Sequence, residues 1–156
     1  MKRVCKFLGL ILMVALISGC EKNEELKVTK CTLTNNNLAA QYNLKSEYTI
    51  YSKNNVVDKV ETKETVISSS NAILDYFETY LTNLYKKSNE TYGGYSNKIV
   101  KENDQLTSTT TINYQVMDTQ KYVEDNSAMK NYLNEKNKLT LEGIKSIYTS
   151  LDAICE

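Results

Sequence analysis

Residues 106–116 read LTSTTTINYQV. Leu106, Thr110, Ile112, Tyr114 and Val116 fall on one side of a period-2 pattern, and Thr107, Thr109, Thr111, Asn113 and Gln115 fall on the other. Successive side chains of a strand point to opposite faces, so this stretch predicts a strand buried on one face and wet on the other. Strands buried on both faces, as in parallel sheets, read instead as unbroken apolar runs. The expectation is therefore an antiparallel sheet with one solvated face.

The same period recurs upstream. Val28 to Thr34 is rich in strand formers and is followed by the turn signal Asn35-Asn36-Asn37. Tyr42, Leu44, Tyr48 and Ile50 alternate with polar residues, and Ser46 is the gap in that series. After Lys53-Asn54-Asn55, the series Val56, Val60, Thr62 and Val66 continues the pattern. Putting both apolar sets on one face sets Tyr48 opposite Val60, through an odd loop with a bulge, and sets Glu47 against Glu61.

Helical signals separate and follow the strands. Ser69 or Ser70 can cap a helix from about Asn71, with an apolar stripe of Ile73, Phe77, Leu81 and Leu84 widened by Leu74, Tyr80 and Tyr85, over roughly four to five turns. Gly93-Gly94 stops it, and Ile99-Val100 opens a short strand. Asp118 can cap a weaker helix to about Leu133, with Val123, Met129 and Tyr132 inward. Thr140 can cap Leu141 to Ser150, with Ile144, Ile147, Tyr148 and Leu151 inward, before a short extended end at Cys155. The order βββ-α-ββ-α-α predicts an α+β fold: an antiparallel sheet of about four to five strands covered on one face by two or three helices.

The start of the chain concerns location. Met1-Lys2-Arg3 with Lys6 precedes an uncharged, mostly apolar run from Phe7 to Ile17, too short to cross a hydrocarbon core of about 30 Å. It reads as a secretory signal ending in Ile17-Ser18-Gly19-Cys20, a bacterial lipobox. In that reading residues 1–19 are removed, the Cys20 sulfur carries a diacylglyceryl group, and residues 20–27 tether a globular domain of residues 28–156 to the membrane. The plain alternative is an ordinary signal with a chance cysteine. Loss of Lys2, Arg3 and Lys6 leaves 16 basic against 19 acidic residues, a net of −3, with no basic patch to suggest nucleic acid.

Cys5 leaves with the signal and Cys20 becomes a thioether, so Cys31 and Cys155 remain. An exported domain permits them to form a disulfide. Closing a loop of that size is worth about 5 kcal/mol through the entropy of the unfolded chain. Two buried thiols that never meet are the alternative. With no His in the chain, the pair is half a zinc site, so no metal is expected.

Catalytic motifs are missing from the pattern. The absence of His removes Ser-His-Asp and Cys-His nucleophile systems, and the single Gly-Gly fits no phosphate-cradling loop. The expectation is a non-enzyme without a cofactor. The acidic residues Asp118, Glu124 and Asp125 lack the spacing of a calcium loop and read as solvated charge beside a helix start. Tyrosine is the unusual feature, with 12 residues against two Phe and no Trp. Tyr76, Tyr80, Tyr85, Tyr92 and Tyr95 cluster around the Gly-Gly turn. They read either as core-edge filler or as a recognition surface for a small ligand, glycan or envelope protein, with Tyr92 and Tyr95 the first candidates.

The segments CTLTNNN (31–37), YTIYSKNNVVDKVETKETV (48–66), TINYQVMD (111–118) and LTLEGIKSIYTSLDAIC (139–155), together with the lipobox, resemble the YehR-like family of small bacterial lipoproteins. The resemblance implies a membrane-anchored α+β domain facing outside the cytoplasm, and it transfers neither an activity nor site residues. Asp152 stands where a left-handed helix cap prefers glycine, which leaves the form of that cap open. The function expected is binding without catalysis, or alternatively service as a structural or accessory subunit of an envelope complex.

Overall fold

Asn54 and Asn55 both take positive φ, 48° and 63°. That conformation makes the tight two-residue turn whose twist suits flanking strands. It joins β2 (Tyr42–Lys53) to β3 (Val56–Ile67) in a computed structural model that describes residues 25–37 and 41–156. The predicted signal, Cys20 and residues 21–24 of the predicted tether lie outside the described residues. β1 (Leu26–Asn37) begins inside the stretch expected to be tether, so Leu26 and Lys27 are strand.

The register of the β2–β3 hairpin corrects the expected one. Tyr48 faces Thr62, Ile50 faces Val60, and Glu47 faces Lys63 rather than Glu61. The loop holds two residues, and the change of parity comes from a bulge after Tyr51: Tyr51 pairs with Lys59 and Ser52 with Val57, so Asp58 is the extra residue. Ile50 and Val60 thus meet on the buried face, each 0% exposed, and the like-charge conflict disappears.

Past β3 the chain forms α1 (Asn71–Tyr92), β4 (Tyr95–Glu102), β5 (Gln105–Asn113), α2 (Thr119–Asp125), a 3₁₀ helix (Ser127–Tyr132), α3 (Leu141–Ser150) and β6 (Ile154–Cys155). The strands form one antiparallel sheet in the order β4-β5-β3-β2-β1-β6. Six strands exceed the four or five expected because the extended C-terminal end pairs with β1. β5 stops at Asn113, and Val116, expected inward, is exposed in the turn that follows. The helix predicted from Asp118 to Leu133 breaks at Asn126 into α2 and the 3₁₀ segment.

Helices cover one face. α1 runs for 22 residues, longer than expected. Its buried stripe centres on Leu74 and Leu81, with Phe77 and Tyr85 beside them, while Tyr80 and Leu84 turn outward. Ser70 holds the N-cap position of α1 without a side-chain cap bond, whereas Asp118 and Thr140 cap α2 and α3 with theirs. Leu151, expected inward, sits at the end of α3 and is exposed.

The covered face holds two separate hydrophobic clusters. α1 packs on Val66 and Leu106. α3 packs on Cys31, Ile50, Val57 and Val60. Cys31 and Cys155 stand opposite each other on β1 and β6 and are joined by a disulfide. Among the described residues, no helix is long and apolar enough to cross a membrane.

Candidate functional site

The Gly93-Gly94 break builds one end of the site. Both glycines have positive φ, 69° and 77°, and the Gly93 N–H donates to the Asn89 carbonyl at 2.9 Å. A Cβ on Gly94 would lie 2.7 Å from the Asn113 carbonyl oxygen. This close approach lets Asn113 N–H donate to the Gly94 carbonyl at 2.8 Å and starts the pairing of Tyr95 with Ile112. The Asp118 N–H donates to the Tyr92 carbonyl at 2.7 Å, tying the start of α2 to the end of α1.

These ties bring four tyrosines to one groove of about 670 Å³: Tyr85 and Tyr92 from α1, Tyr95 from β4, and Tyr122 from α2. The Tyr92 and Tyr122 rings meet edge to face at 5.1 Å, and Tyr85 lies 6.5 Å from Tyr95. Ile112 and Leu84 add apolar surface; Ser88, Thr91, Asn126 and Asp125 add polar groups. Lys87 is the only cation in the lining among the described residues. Tyr92 Oη donates to Asp125 at 3.1 Å, and Lys121 Nζ reaches the same oxygen at 3.1 Å. The Lys121 ammonium holds the Asp125 carboxyl below the usual carboxylate range, with Tyr92 adding to the effect. Burial pushes the Tyr95 and Tyr122 phenols up, with neighbouring phenols adding, so both are neutral hydrogen-bonding groups at physiological pH. A further depression of about 580 Å³ lies between the Asn54 turn and Asn134–Lys136 and has no aromatic lining.

Of the residues singled out from sequence, Tyr92 and Tyr95 share this groove, whereas Tyr76 and Tyr80 stack on each other on the exposed side of α1. Tyr122 and Asp125 belong to the site and were missed as part of it, because only the fold brings α2 against the end of α1. Asp118 caps α2 through Oδ1, and Asp125 pairs with Lys121. Among the described residues, no group of three His, Cys, Asp or Glu side chains could hold a metal ion.

A second polar feature lies behind the groove. Ser46, Glu64 and Ser108 form one row across β2, β3 and β5, all on the covered face between the two hydrophobic clusters. Tyr85 Oη donates to Glu64 Oε2 at 2.9 Å. Burial raises the Glu64 pKa, against the opposing hydrogen bonds from Tyr85 and Ser108.

The molecule is thus a one-sided α+β sheet with an aromatic groove at the junction of α1, β4 and α2. No family model and no curated protein matches the sequence. Its fold is similar to that of the Escherichia coli YehR protein solved by NMR, with a TM-score of 0.54 and 11% identity, over 85% of this chain and 92% of that one. The NMR structure of a protein from Streptococcus pneumoniae TIGR4 aligns over 100% of this chain and 98% of its own, at 18% identity and a TM-score of 0.48.

Proposed function

We propose that this chain is a bacterial lipoprotein, anchored through Cys20 and facing outside the cytoplasm, that binds an envelope glycan without catalysis. The observation that carries the reading is the convergence of Tyr85, Tyr92, Tyr95 and Tyr122 on one groove. A sugar ring offers a C–H face that packs on aromatic rings and hydroxyls that need neutral hydrogen-bonding partners. Tyr supplies both at low conformational cost, and Ser88, Thr91 and Asn126 supply more of the second. The lipobox and the preceding basic and apolar segments support the anchor.

An accessory-subunit role has one feature in its favour. Tyr76, Tyr80 and Leu84 form an exposed stripe on α1, 64%, 50% and 39% exposed, that leads into the groove. The uncovered sheet face is less suited to docking, since it carries ion pairs such as Lys45–Glu47 and Lys59–Glu61.

Two measurements test the proposal. Cys20→Ala should release the protein from membranes, and retention there refutes the anchor. Without Trp, the emission of the full chain in detergent micelles comes from its 12 tyrosines, and the four in the groove make it sensitive to a ligand there. Titration with chitotriose, a neutral N-acetylglucosamine trisaccharide, should change that emission, and Tyr95→Ala should weaken the response about tenfold or more. An unchanged emission together with capture of one envelope protein by in-cell crosslinking would favour the accessory role.

A further inference from the structure

Glu64 is an ionisable group turned toward the packed side of the sheet. Val60, Thr62, Glu64 and Val66 alternate inward along β3, and all but Glu64 are buried hydrophobic or hydroxyl side chains. Among the described residues no ion pair involves its carboxylate. A carboxyl group without a counter-ion in such a place costs stability, which an apolar residue would avoid.

Its hydrogen bonds lead to the groove. Asn97 Nδ2 donates to Ser108 Oγ at 2.9 Å and to Thr110 Oγ1 at 2.8 Å, and both hydroxyls are fully buried. Ser108 stands opposite Glu64 across the β3–β5 pair, and the Tyr85 hydroxyl donates to the Glu64 carboxylate at 2.9 Å. The polar row of the sheet and the Tyr85 phenol thus meet at the Glu64 carboxylate. The ring of Tyr85, at the other end of that side chain, is a wall of the groove.

We propose that Glu64 is the positioning residue of the groove: its ionised carboxylate holds the Tyr85 hydroxyl and thereby fixes the Tyr85 ring for binding. The inference rests on the groove being the binding site. A phenol bonded to a carboxylate is held more tightly than one bonded to a neutral acid, because charge-assisted hydrogen bonds are about twice as strong. Protonation of Glu64 therefore frees the ring and weakens binding. The titratable groups facing Glu64 are Tyr85 of α1 and Tyr48 of β2; β4 and β5 present Asn97, Ser108 and Thr110. Both phenols are themselves pushed upward by burial and stay neutral while Glu64 titrates.

The test reads the free protein and the complex separately. In the full chain in detergent micelles, carbon-13 NMR follows the Glu64 carboxyl and the Tyr85 ring with pH. The Tyr85 resonances should move with the Glu64 midpoint, and chitotriose affinity should fall about tenfold as pH drops through it. Glu64→Gln should reproduce the low-pH affinity of the natural protein at every pH while raising Tm at neutral pH, since it removes the cost of a half-buried charge without a counter-ion. Tyr85 resonances that stay fixed through the Glu64 titration overturn the proposal, whether or not chitotriose binds. Wild-type affinity in Glu64→Gln overturns it also, and leaves the groove reading standing. If chitotriose fails to bind while Tyr85 still follows Glu64, the positioning holds and the glycan reading is what fails.

Discussion

Asp152 has φ of 67° in a residue that carries a Cβ. Two hydrogen bonds make it adopt that conformation. Ala153 N–H donates to the Tyr148 carbonyl and Asp152 N–H to the Thr149 carbonyl, both at 3.0 Å. Together they form a Schellman ending for α3, with buried Ala153 in the apolar position that follows. The cap left open by the sequence is thus left-handed, and the two bonds outweigh the strain of a non-glycine residue. The left-handed geometry costs an L-residue about 1–2 kcal/mol, against about 0.5–1 kcal/mol of extra backbone entropy lost when glycine is ordered. Asp152→Gly should therefore stabilise the fold by about 0.5–1 kcal/mol. Urea denaturation checks this: the midpoint should rise with an unchanged slope.

Among the elements, the connection from α1 to β4 decides whether the groove exists. Gly93 and Gly94 share a positive φ but not their surroundings. The nearest atom to a Cβ on Gly93 is 3.8 Å away, whereas on Gly94 the Asn113 carbonyl is at 2.7 Å and Met117 Cβ at 3.0 Å. Gly93→Ala should cost only the conformational term, about 1–3 kcal/mol for a backbone at φ 69° and ψ 178° that glycine alone adopts readily, while Gly94→Ala should add a steric clash to that cost and push β4 away from the end of β5. Thermal unfolding should rank the two variants in that order, with the shifts in Tyr95 and Ile112 resonances confined to Gly94→Ala. Strand identities were legible because alternation is a local signal. The β2–β3 register was not, because both apolar sets share one face in either register. What selects the observed one is the Asn54-Asn55 turn with its bulge at Asp58. The outward turn of Leu84 was equally hidden: the buried stripe runs through Leu74, Leu81 and Tyr85, and Leu84 lies on its flank, about 60° around the helix from Leu81.

Across the whole molecule, the polar row between the hydrophobic clusters had left a trace in the sequence. Each strand's apolar series skips one inward position: Ser46 in β2, Glu64 in β3 and Ser108 in β5. Taken singly each is a gap; only the pairing aligns them. Tyr122 left no trace of that kind, because its partner Tyr92 is far away in the chain. The aligned row divides the covered face, with α3 and the disulfide on one side and α1 on the other. The disulfide spans 124 residues of sequence and fixes β6 to β1, beside backbone bonds between Lys30 and Glu156. Cys155 is the member to replace, since Cys31 is 1% exposed and a hydroxyl there would be buried. Cys155→Ser should cost about 2–5 kcal/mol, a fall in Tm of roughly 6–20 °C. Hydrogen exchange should localise the loss, with protection falling first in β6, α3 and β1 while α1, β4 and β5 keep theirs. Uniform loss over both clusters would show instead that the polar row does not separate them energetically, and that the sheet carries the cost of the missing bond as one cooperative unit.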